Sequence, residues 1–379
     1  MKSLIIADDE PAFAQFVVKV ANGMGYWAAA PESLSDLWRR VDEEWPTVLM
    51  VDLQMPEMDG VELLRELGQR RCPSKVVVVS GLDSRVLASA SQLGSELGLA
   101  MEGIIQKPVR AAELRTLLAG LGADGAHPTA EALSGAMDDG RLFLMYQPQI
   151  DIRTRRMTGV EALVRWRGED GRVIPPDAFI PLAEECGLIG RLTDIVVDSA
   201  FAQAGTWLRQ GLDLRVSVNL SARNIHDRQL PDRLAARCRA ENLPPDRITL
   251  ELTESAANRD GAALLDILSR FRIKGFNLST DDFGIGYSSV AQLLKLPFSE
   301  LKVDKSFASG IGQSHESTVI SKTLIDMARN LNLLTVAEGV ETEDVFQTLA
   351  GWGCDLAQGY LFSRPVEAEA IQAQASSSI

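Results

Sequence analysis

Residues 248–255 read ITLELTES, a short apolar run that places Glu251 near the point where a buried strand would end. Other apolar runs after residue 140 end in the same way, on an acidic or amide side chain. The residues that share this position are Glu161, Asn219, Glu251, Asp281, Asp282 and Glu338.

In a parallel α/β barrel, the carboxyl ends of the strands form the edge at which active sites lie. Carboxylate and carboxamide oxygens are ligands that Mg²⁺ and Mn²⁺ prefer. Five acids brought to one edge would repel one another strongly unless cations lay between them. The pattern therefore predicts a metal-dependent enzyme that holds two divalent ions.

The composition bounds the class of protein. The chain has 379 residues, enough for two or three domains, and 46% of them are hydrophobic, which excludes general disorder. Its net charge of −14 argues against a nonspecific nucleic-acid binder, so we expect no DNA partner. Four scattered cysteines without a CxxC pair indicate reduced thiols. Because the chain shows neither a signal-peptide pattern nor an apolar run of the roughly 20 residues that span a bilayer, we expect a cytoplasmic protein without membrane insertion.

The first ~120 residues alternate short apolar runs with amphipathic stretches, at the spacing of βα units. The runs are almost continuously apolar, as parallel strands buried on both faces should be, and five such units predict a doubly wound (βα)5 sheet. The predicted strands are Leu4–Ala7, Trp27–Ala30, Val48–Val51, Val76–Val79 and Ile104–Ile105. The predicted helices are Pro11–Gly23, Val61–Arg70, Arg85–Leu97 and Ala111–Leu121.

A segment without apolar periodicity, Gly122–His127, predicts a linker, and Thr129–Met137 predicts a helix that leads into a second domain. About eight further strands over ~240 residues match a modified (β/α)8 barrel of the TIM type. They are Phe143–Ile150, Gly159–Arg165, Leu214–Asn219, Ile248–Leu252, Asn277–Asp281, Leu301–Val303, Leu334–Ala337 and Leu356–Tyr360. We expect a first domain over 1–122, a linker and lead-in helix over 123–137, and the barrel domain over 138–372.

Polar residues also stand at the strand ends of the first domain. They are Asp8 and Asp9 after the first strand, Asp52, Ser80 and Lys107. A lone Asp there is most simply a cap of the next helix, but five polar residues in order are better explained by a ligand site at the carboxyl edge of the sheet. Three carboxylates can hold one Mg²⁺, and one of them can attack a phosphoryl group.

These motifs resemble the receiver domain of two-component response regulators over about residues 2–121. The resemblance implies that a cognate histidine kinase phosphorylates Asp52. It implies one Mg²⁺ or Mn²⁺ ion on Asp8, Asp9 and Asp52, with Ser80 and Lys107 contacting the phosphoryl group. Receivers usually carry an aromatic residue three positions before the lysine, and this chain departs from that pattern with Ile104.

The segments GVEALVRW, VSVNLSARN, ITLELTES, LSTDDFGIGYSS, ELKVDKSF, VAEGVET and AQGYLFSRP resemble, in this order, the EAL-domain cyclic di-GMP phosphodiesterases. The resemblance covers about residues 138–370 and implies a variant βα barrel that hydrolyses cyclic di-GMP to linear pGpG. It implies two Mg²⁺ or Mn²⁺ ions. One would bind Glu161, Asn219, Glu251 and Asp281, and the other Asp281, Asp282 and Glu338.

The same resemblance implies roles for residues around the metals. Catalytic roles fall to Lys302, Glu338 and Glu254. Lys302 would orient the attacking water, and Glu254 would anchor the loop over residues 282–289, where Ile285 replaces the small or hydroxyl residue of many relatives. Substrate contacts fall to Gln147, Leu163, Arg165 and Gln358. Because relatives commonly assemble, a homo-oligomer is expected.

The two resemblances together predict a response regulator that hydrolyses cyclic di-GMP and is modulated by phosphorylation of Asp52. Two alternatives stay open: an effector that binds cyclic di-GMP without cutting it, and a scaffold that acts through protein contacts alone. Non-hydrolysing effectors usually lack metal ligands, and here every expected ligand is present. A scaffold would leave the acidic ring of the barrel unexplained.

Overall fold

The protein is represented by a computed structural model that describes residues 2–31, 33–56, 58–82, 84–121, 128–253, 261–284 and 290–376. For residues 84, 85, 88, 282, 290–292 and 376 it describes the backbone alone. The chain divides into two compact units, Met1–Gly125 and Ala126–Ile379. The predicted linker Gly122–His127 lies outside the described residues. Among the described helices, none has the length and apolar character needed to cross a membrane.

The first unit is a five-stranded parallel sheet with the strand order β2-β1-β3-β4-β5, which confirms the predicted doubly wound fold. Its strands are β1 Ser3–Ala7, β2 Trp27–Ala29, β3 Val48–Asp52, β4 Lys75–Ser80 and β5 Ala100–Gln106. Its helices are α1 Pro11–Asn22, α2 Leu34–Glu43, α3 Gly60–Gln69, α4 Ser84–Glu96 and α5 Ala111–Leu121.

Both faces of this sheet are buried because neighbouring residues of a strand enter different hydrophobic clusters. On β3, Leu49 and Val51 pack on one face, while Val48 and Met50 pack on the other. Helix α2 was not predicted. Its apolar residues, Leu34, Leu37, Trp38 and Val41, have the i, i+3, i+4, i+7 spacing of an amphipathic helix, so this periodicity was the signal that could have found the helix.

The second unit is a closed barrel of eight strands, which confirms the predicted TIM-like fold. The ring consists of β6 Leu142–Asp151, β7 Met157–Arg167, β9 Arg215–Asn219, β10 Ile248–Thr253, β11 Asn277–Phe283, β12 Glu300–Val303, β13 Leu334–Ala337 and β14 Leu356–Ala357. A short strand, β8 Val173–Ile174, pairs with β7 outside the ring.

Helices surround the ring. They are α6 Ala130–Asp138, α7 Pro176–Glu185, α8 Ile189–Arg209, α9 Leu230–Ala240, α10 Gly261–Ile273, α11 Val290–Lys295, α12 Lys305–Ala308, α13 His315–Asn330, α14 Glu343–Trp352 and α15 Ala368–Ser376, with 3₁₀ turns at Ala222–His226 and Pro245–Arg247.

The barrel departs from an all-parallel ring at β6, which is antiparallel to both of its neighbours, β7 and β14. The other neighbours in the ring are parallel. The last strand was predicted to reach Tyr360, but it ends at Ala357. The chain packs closely against a neighbouring backbone there, since a Cβ at Gly359 would lie 2.1 Å from the Val340 carbonyl oxygen.

Candidate active site

The carboxyl edge of the barrel gathers most of the predicted ligands. Glu251 of β10 pairs with Asn219 of β9 on one side and with Ser279 of β11 on the other. Asp281 stands two residues after Ser279, so both side chains point to the same face of β11. Strand pairing thus directs these polar groups to one region inside the barrel.

The ammonium of Lys302 lies at the centre of this region. Its Nζ is 2.5 Å from Glu338 Oε1, 2.7 Å from Glu251 Oε2, 3.4 Å from Asp281 Oδ1 and 3.5 Å from Glu161 Oε2. The Lys302 and Glu251 side chains are fully buried. One cation therefore faces four carboxylates, and a buried site holds such an excess of negative charge only when protons or further cations balance it.

The pKa values of these groups reflect that imbalance. Burial lowers the pKa of a lysine, but the four surrounding carboxylates outweigh it and raise the pKa of Lys302 well above its usual value. Burial raises the pKa of Glu251 well above the usual range, although Lys302 opposes the shift. Burial also raises the pKa of Glu338 to about 8. Metal-free, the site therefore favours protons on part of its carboxylates.

Glu161 behaves differently because amides hold both of its oxygens. Asn219 Nδ2 donates to Glu161 Oε1 at 2.9 Å, and Gln358 Nε2 donates to Glu161 Oε2 at 2.6 Å. Gln358 Nε2 also donates to Gln147 Oε1 at 3.1 Å. Burial would raise the pKa of Glu161, but Lys302 and these two donors outweigh it, so the pKa is lowered. Glu161 is thus held as a carboxylate.

The residues present fit divalent cations. Glu251 Oε1 is buried and has no hydrogen-bond partner in the described part of the chain. The donor set consists of carboxylate and carboxamide oxygens, the hard ligands that Mg²⁺ and Mn²⁺ favour. A cation beside Glu251 Oε1 would supply the missing partner and offset the surplus negative charge.

Two pockets flank Leu163. One, of about 470 Å³, is lined by the acidic residues together with Gln147, Lys305 and Tyr360. The other, of about 450 Å³, is lined largely by apolar side chains of β7, α7 and α8, with Asp177 among its polar groups. Arg165 is half-buried, and burial lowers the pKa of its guanidinium.

Some predicted site residues cannot be placed. Glu254, Ile285 and the rest of the loop over residues 285–289 lie outside the described residues. Asp282 lies in β11, but its side chain is also outside the described part. Their predicted roles stay predictions.

Gln149 and Glu300 are buried polar residues inside the barrel that were not predicted. Gln149 Nε2 donates to Gln358 Oε1 at 3.2 Å. Glu300 is 3% exposed, and burial raises its pKa. Each lies two residues from a predicted site residue, Gln147 or Lys302, so the two-residue period of a strand was the signal that could have found them.

The first unit has its own acidic site at the carboxyl edge of its sheet. Lys107 Nζ is 2.8 Å from Asp52 Oδ2, 2.8 Å from Glu10 Oε1 and 3.0 Å from Asp8 Oδ2. Ligand oxygens of Asp8, Glu10 and Asp52 lie within 4.8 Å of one another. Burial raises the pKa of Asp8. This group of oxygens also fits one divalent cation.

The placement of the neighbouring acids differs from the predicted set. The group that the structure brings together contains Glu10, and the predicted ligand Asp9 is exposed. Ser80 is fully buried at the end of β4, where its Oγ accepts from Leu82 N at 3.2 Å. Ile104 lies on β5 with 43% of its surface exposed.

Comparisons with known proteins also divide the chain into two domains. Residues 130–365 match the family model for the EAL domain, and residues 4–119 match that for the response regulator receiver domain. The chain is 37% identical over 229 residues to the cyclic di-GMP phosphodiesterase PA2567 of Pseudomonas aeruginosa, a match that covers 60% of this chain and 39% of that protein. The chain thus spans well under half of the length of that relative.

Two further relatives are informative. Over 329 residues the chain is 28% identical to the cyclic di-GMP phosphodiesterase RocR of Pseudomonas aeruginosa, which covers 84% of each protein. The solved structure of the PaMucR phosphodiesterase in complex with c-di-GMP is 40% identical, with a TM-score of 0.61, over 64% of this chain and 98% of that one. The match to the EAL family model extends over more than half of the chain, and the solved structure shows a similar fold for the barrel domain.

Proposed function

Because the chain belongs to the EAL-domain family and carries a receiver domain before the barrel, we propose that it hydrolyses cyclic di-GMP to linear pGpG under the control of phosphorylation at Asp52. The observation that carries this proposal is the convergence of four carboxylates on Lys302 at the carboxyl edge of the barrel. A module that only binds a dianionic ligand would be hindered by such a concentration of negative charge.

The proposed metal ligands follow from the donor set. Glu161, Asn219, Glu251 and Asp281 would hold one divalent cation, and Asp281, Asp282 and Glu338 a second. When bound, two such ions would polarise the scissile phosphodiester and lower the pKa of a water molecule. The buried Glu251 Oε1 without a hydrogen-bond partner supports this assignment.

The remaining residues of the site act on charge and orientation. The Nζ of Lys302 would donate to the attacking water and hold negative charge that develops at the phosphate oxygens. Asn219 and Gln358 fix the orientation of Glu161, because each donates to one of its oxygens.

The two pockets suit the two chemical parts of the substrate. The acidic pocket of about 470 Å³ would receive the scissile phosphate. The more apolar pocket of about 450 Å³ would receive a guanine base, whose N–H groups could donate to Asp177. Arg165 would contact a phosphate, a task that suits the forked geometry of its guanidinium.

The receiver site supports control by phosphorylation. Asp52 is 2% exposed, and its Oδ2 already pairs with Lys107, which would neutralise part of the charge of a phosphoryl group. The cation would lie between Asp8 and Asp52, with Asp9 or Glu10 as its third acidic ligand. The cognate histidine kinase and the expected homo-oligomer stay predictions.

The test is to incubate the purified protein with cyclic di-GMP and Mg²⁺ or Mn²⁺ and to measure pGpG by chromatography. We expect turnover by the wild type, none by Glu161→Ala, and normal turnover by Glu343→Ala, a matched change at an exposed glutamate paired with Arg155. Binding of cyclic di-GMP without any product would favour the effector alternative. Near-normal rates for Glu161→Ala would refute the metal assignment.

A further inference from the structure

A buried row of amides lies behind the proposed metal site. Gln149 is 2% exposed and lies on β6, two residues after Gln147. Its Nε2 donates to Gln358 Oε1 at 3.2 Å, and Gln358 Nε2 in turn donates to Glu161 Oε2 at 2.6 Å. Gln149 is therefore connected to a proposed metal ligand through one intervening side chain.

The direction of the hydrogen bonds in this row depends on which end of the Gln358 carboxamide, the oxygen or the NH₂ group, faces Glu161. A carboxamide has a donor end and an acceptor end of almost the same shape, so its neighbours decide which end points where. If Gln358 turned over, its carbonyl oxygen would face the Glu161 carboxylate, and two acceptors would meet without a hydrogen between them. The N–H of Gln149 opposes that turn because it requires the Gln358 oxygen on its own side.

The partner strand leaves room for Gln149. In the β6–β7 pair, Gln149 lies opposite Gly159, and a Cβ at Gly159 would lie 2.9 Å from Gln149 Oε1. Glycine weakens the interior of a strand and often marks a place where another group approaches closely. Its presence opposite Gln149 is explained by the space that the amide needs.

We propose that Gln149 is a positioning residue for the metal site, which acts through Gln358 to hold the Glu161 carboxylate in the orientation that binds a cation. Hydrogen-bond partners behind metal ligands typically change metal affinity by 10- to 100-fold when they are removed. The inference rests on the proposed function only in taking Glu161 as a metal ligand, and its test does not depend on turnover.

The test is Mn²⁺ binding by the full-length protein, measured by isothermal titration calorimetry and by the EPR signal of free Mn²⁺. All proteins carry Asp52→Asn, so that the receiver site contributes little. The variants are Gln149→Met, which keeps the length of the side chain but removes the donor, Gln358→Met, and the double variant. The control is Thr335→Val in the same barrel, which removes the part-buried hydrogen bond that Thr335 Oγ1 donates to Asp355 Oδ2 at 2.8 Å and the one that it accepts from Asp355 N at 2.9 Å.

We expect Gln358→Met to weaken Mn²⁺ binding about 10- to 100-fold, Gln149→Met to weaken it by a smaller factor, and Thr335→Val to keep the parent affinity even where its melting temperature falls. Because Gln149 acts through Gln358, the loss in the double variant should be close to that of Gln358→Met alone. The inference would be overturned if Gln149→Met bound Mn²⁺ with the affinity of the parent protein. It would also be overturned if the losses of affinity in the two single variants added up in the double variant.

The wild type separates this inference from the proposed function. If the wild type binds Mn²⁺ in the barrel but leaves cyclic di-GMP intact, the proposed function falls while the role of Gln149 can still be read from the affinities. If the barrel binds no Mn²⁺ at all, both fall.

Discussion

Replacing Glu338 by glutamine tests the charge imbalance of the barrel directly. The Glu338 side chain is 17% exposed, and its Oε1 lies 2.5 Å from Lys302 Nζ. Burial raises its pKa from 4.5 to about 8, with Lys302 opposing the shift and the carboxylates of Asp281 and Glu161 adding to it. The change removes one ionisable group from the cluster and keeps the size of the side chain.

The magnitude follows from the linkage between protonation and folding. The folded protein keeps a proton on Glu338 up to a pKa of about 8, whereas the unfolded chain loses it near 4.5. The stability that this proton contributes is fully present below pH 4.5 and is lost as the pH rises through 8. Between about pH 6 and pH 8, the free energy of unfolding of the metal-free wild type should therefore fall by about 2 kcal/mol because of this group. Glutamine does not titrate, so the variant should lose none of it.

The assay is urea unfolding in EDTA at pH 6, 7 and 8. Because the receiver is identical in both proteins, the difference in the free energy of unfolding between the wild type and Glu338→Gln reports on the barrel. We expect this difference to shift by about 2 kcal/mol in favour of the variant from about pH 6 to pH 8. The control Glu343→Gln should show no such shift, because Arg155 holds the pKa of exposed Glu343 below its usual range. Equal pH dependence in the wild type and Glu338→Gln would refute the reasoning.

Three further predictions use the same protein. A small-molecule phosphoryl donor should change the rate of pGpG formation in the wild type and in Asp42→Asn but not in Asp52→Asn, and an equal response in Asp52→Asn would show that another group is the switch. Gly359→Ala should lower the free energy of unfolding by about 3 kcal/mol, because the new Cβ would lie 2.1 Å from a backbone oxygen, whereas Gly351→Ala in helix α14 meets nothing within 4 Å and should be neutral or stabilising. Lys302→Met should reduce turnover about 10²- to 10³-fold without weakening Mn²⁺ binding, since the ammonium competes with cations for the same oxygens; loss of Mn²⁺ binding measured by calorimetry would contradict this.

Sequence reasoning predicted the two folds because buried parallel strands appear in the sequence as short apolar runs, and it placed the predicted site residues at the ends of those runs. Glu161, Glu251 and Asp281 could be assigned to one edge since each stands near the end of an apolar run. An apolar run gives no information about the direction of its strand in the sheet, so the sequence did not predict that β6 is antiparallel to its neighbours. The apolar runs also did not show that Lys302 lies at the centre of the site. Lys302 stands within such a run, and its four ion pairs depend on the register of the strands.

The choice among adjacent acids was also beyond the pattern. Asp8, Asp9 and Glu10 fill the three positions between β1 and α1. Asp8 Oδ1 accepts from Glu10 N at 2.9 Å, a local turn that shapes the link between the strand and the helix. Which side chain then faces Asp52 depends on this turn, because a shift of one position in a loop changes the direction of every side chain after it.

The reversed strand β6 has a consequence for where the neighbouring segments of the chain join the barrel. Leu142, the first residue of β6, pairs with Trp166 near the carboxyl end of β7, and β14 also ends at the carboxyl edge. The chain therefore enters β6 and leaves β14 at the edge that holds the site, whereas an all-parallel barrel begins at the opposite edge. The segment that leads into β6 and the segment that follows β14 thus both join the barrel on the side that carries the acidic residues.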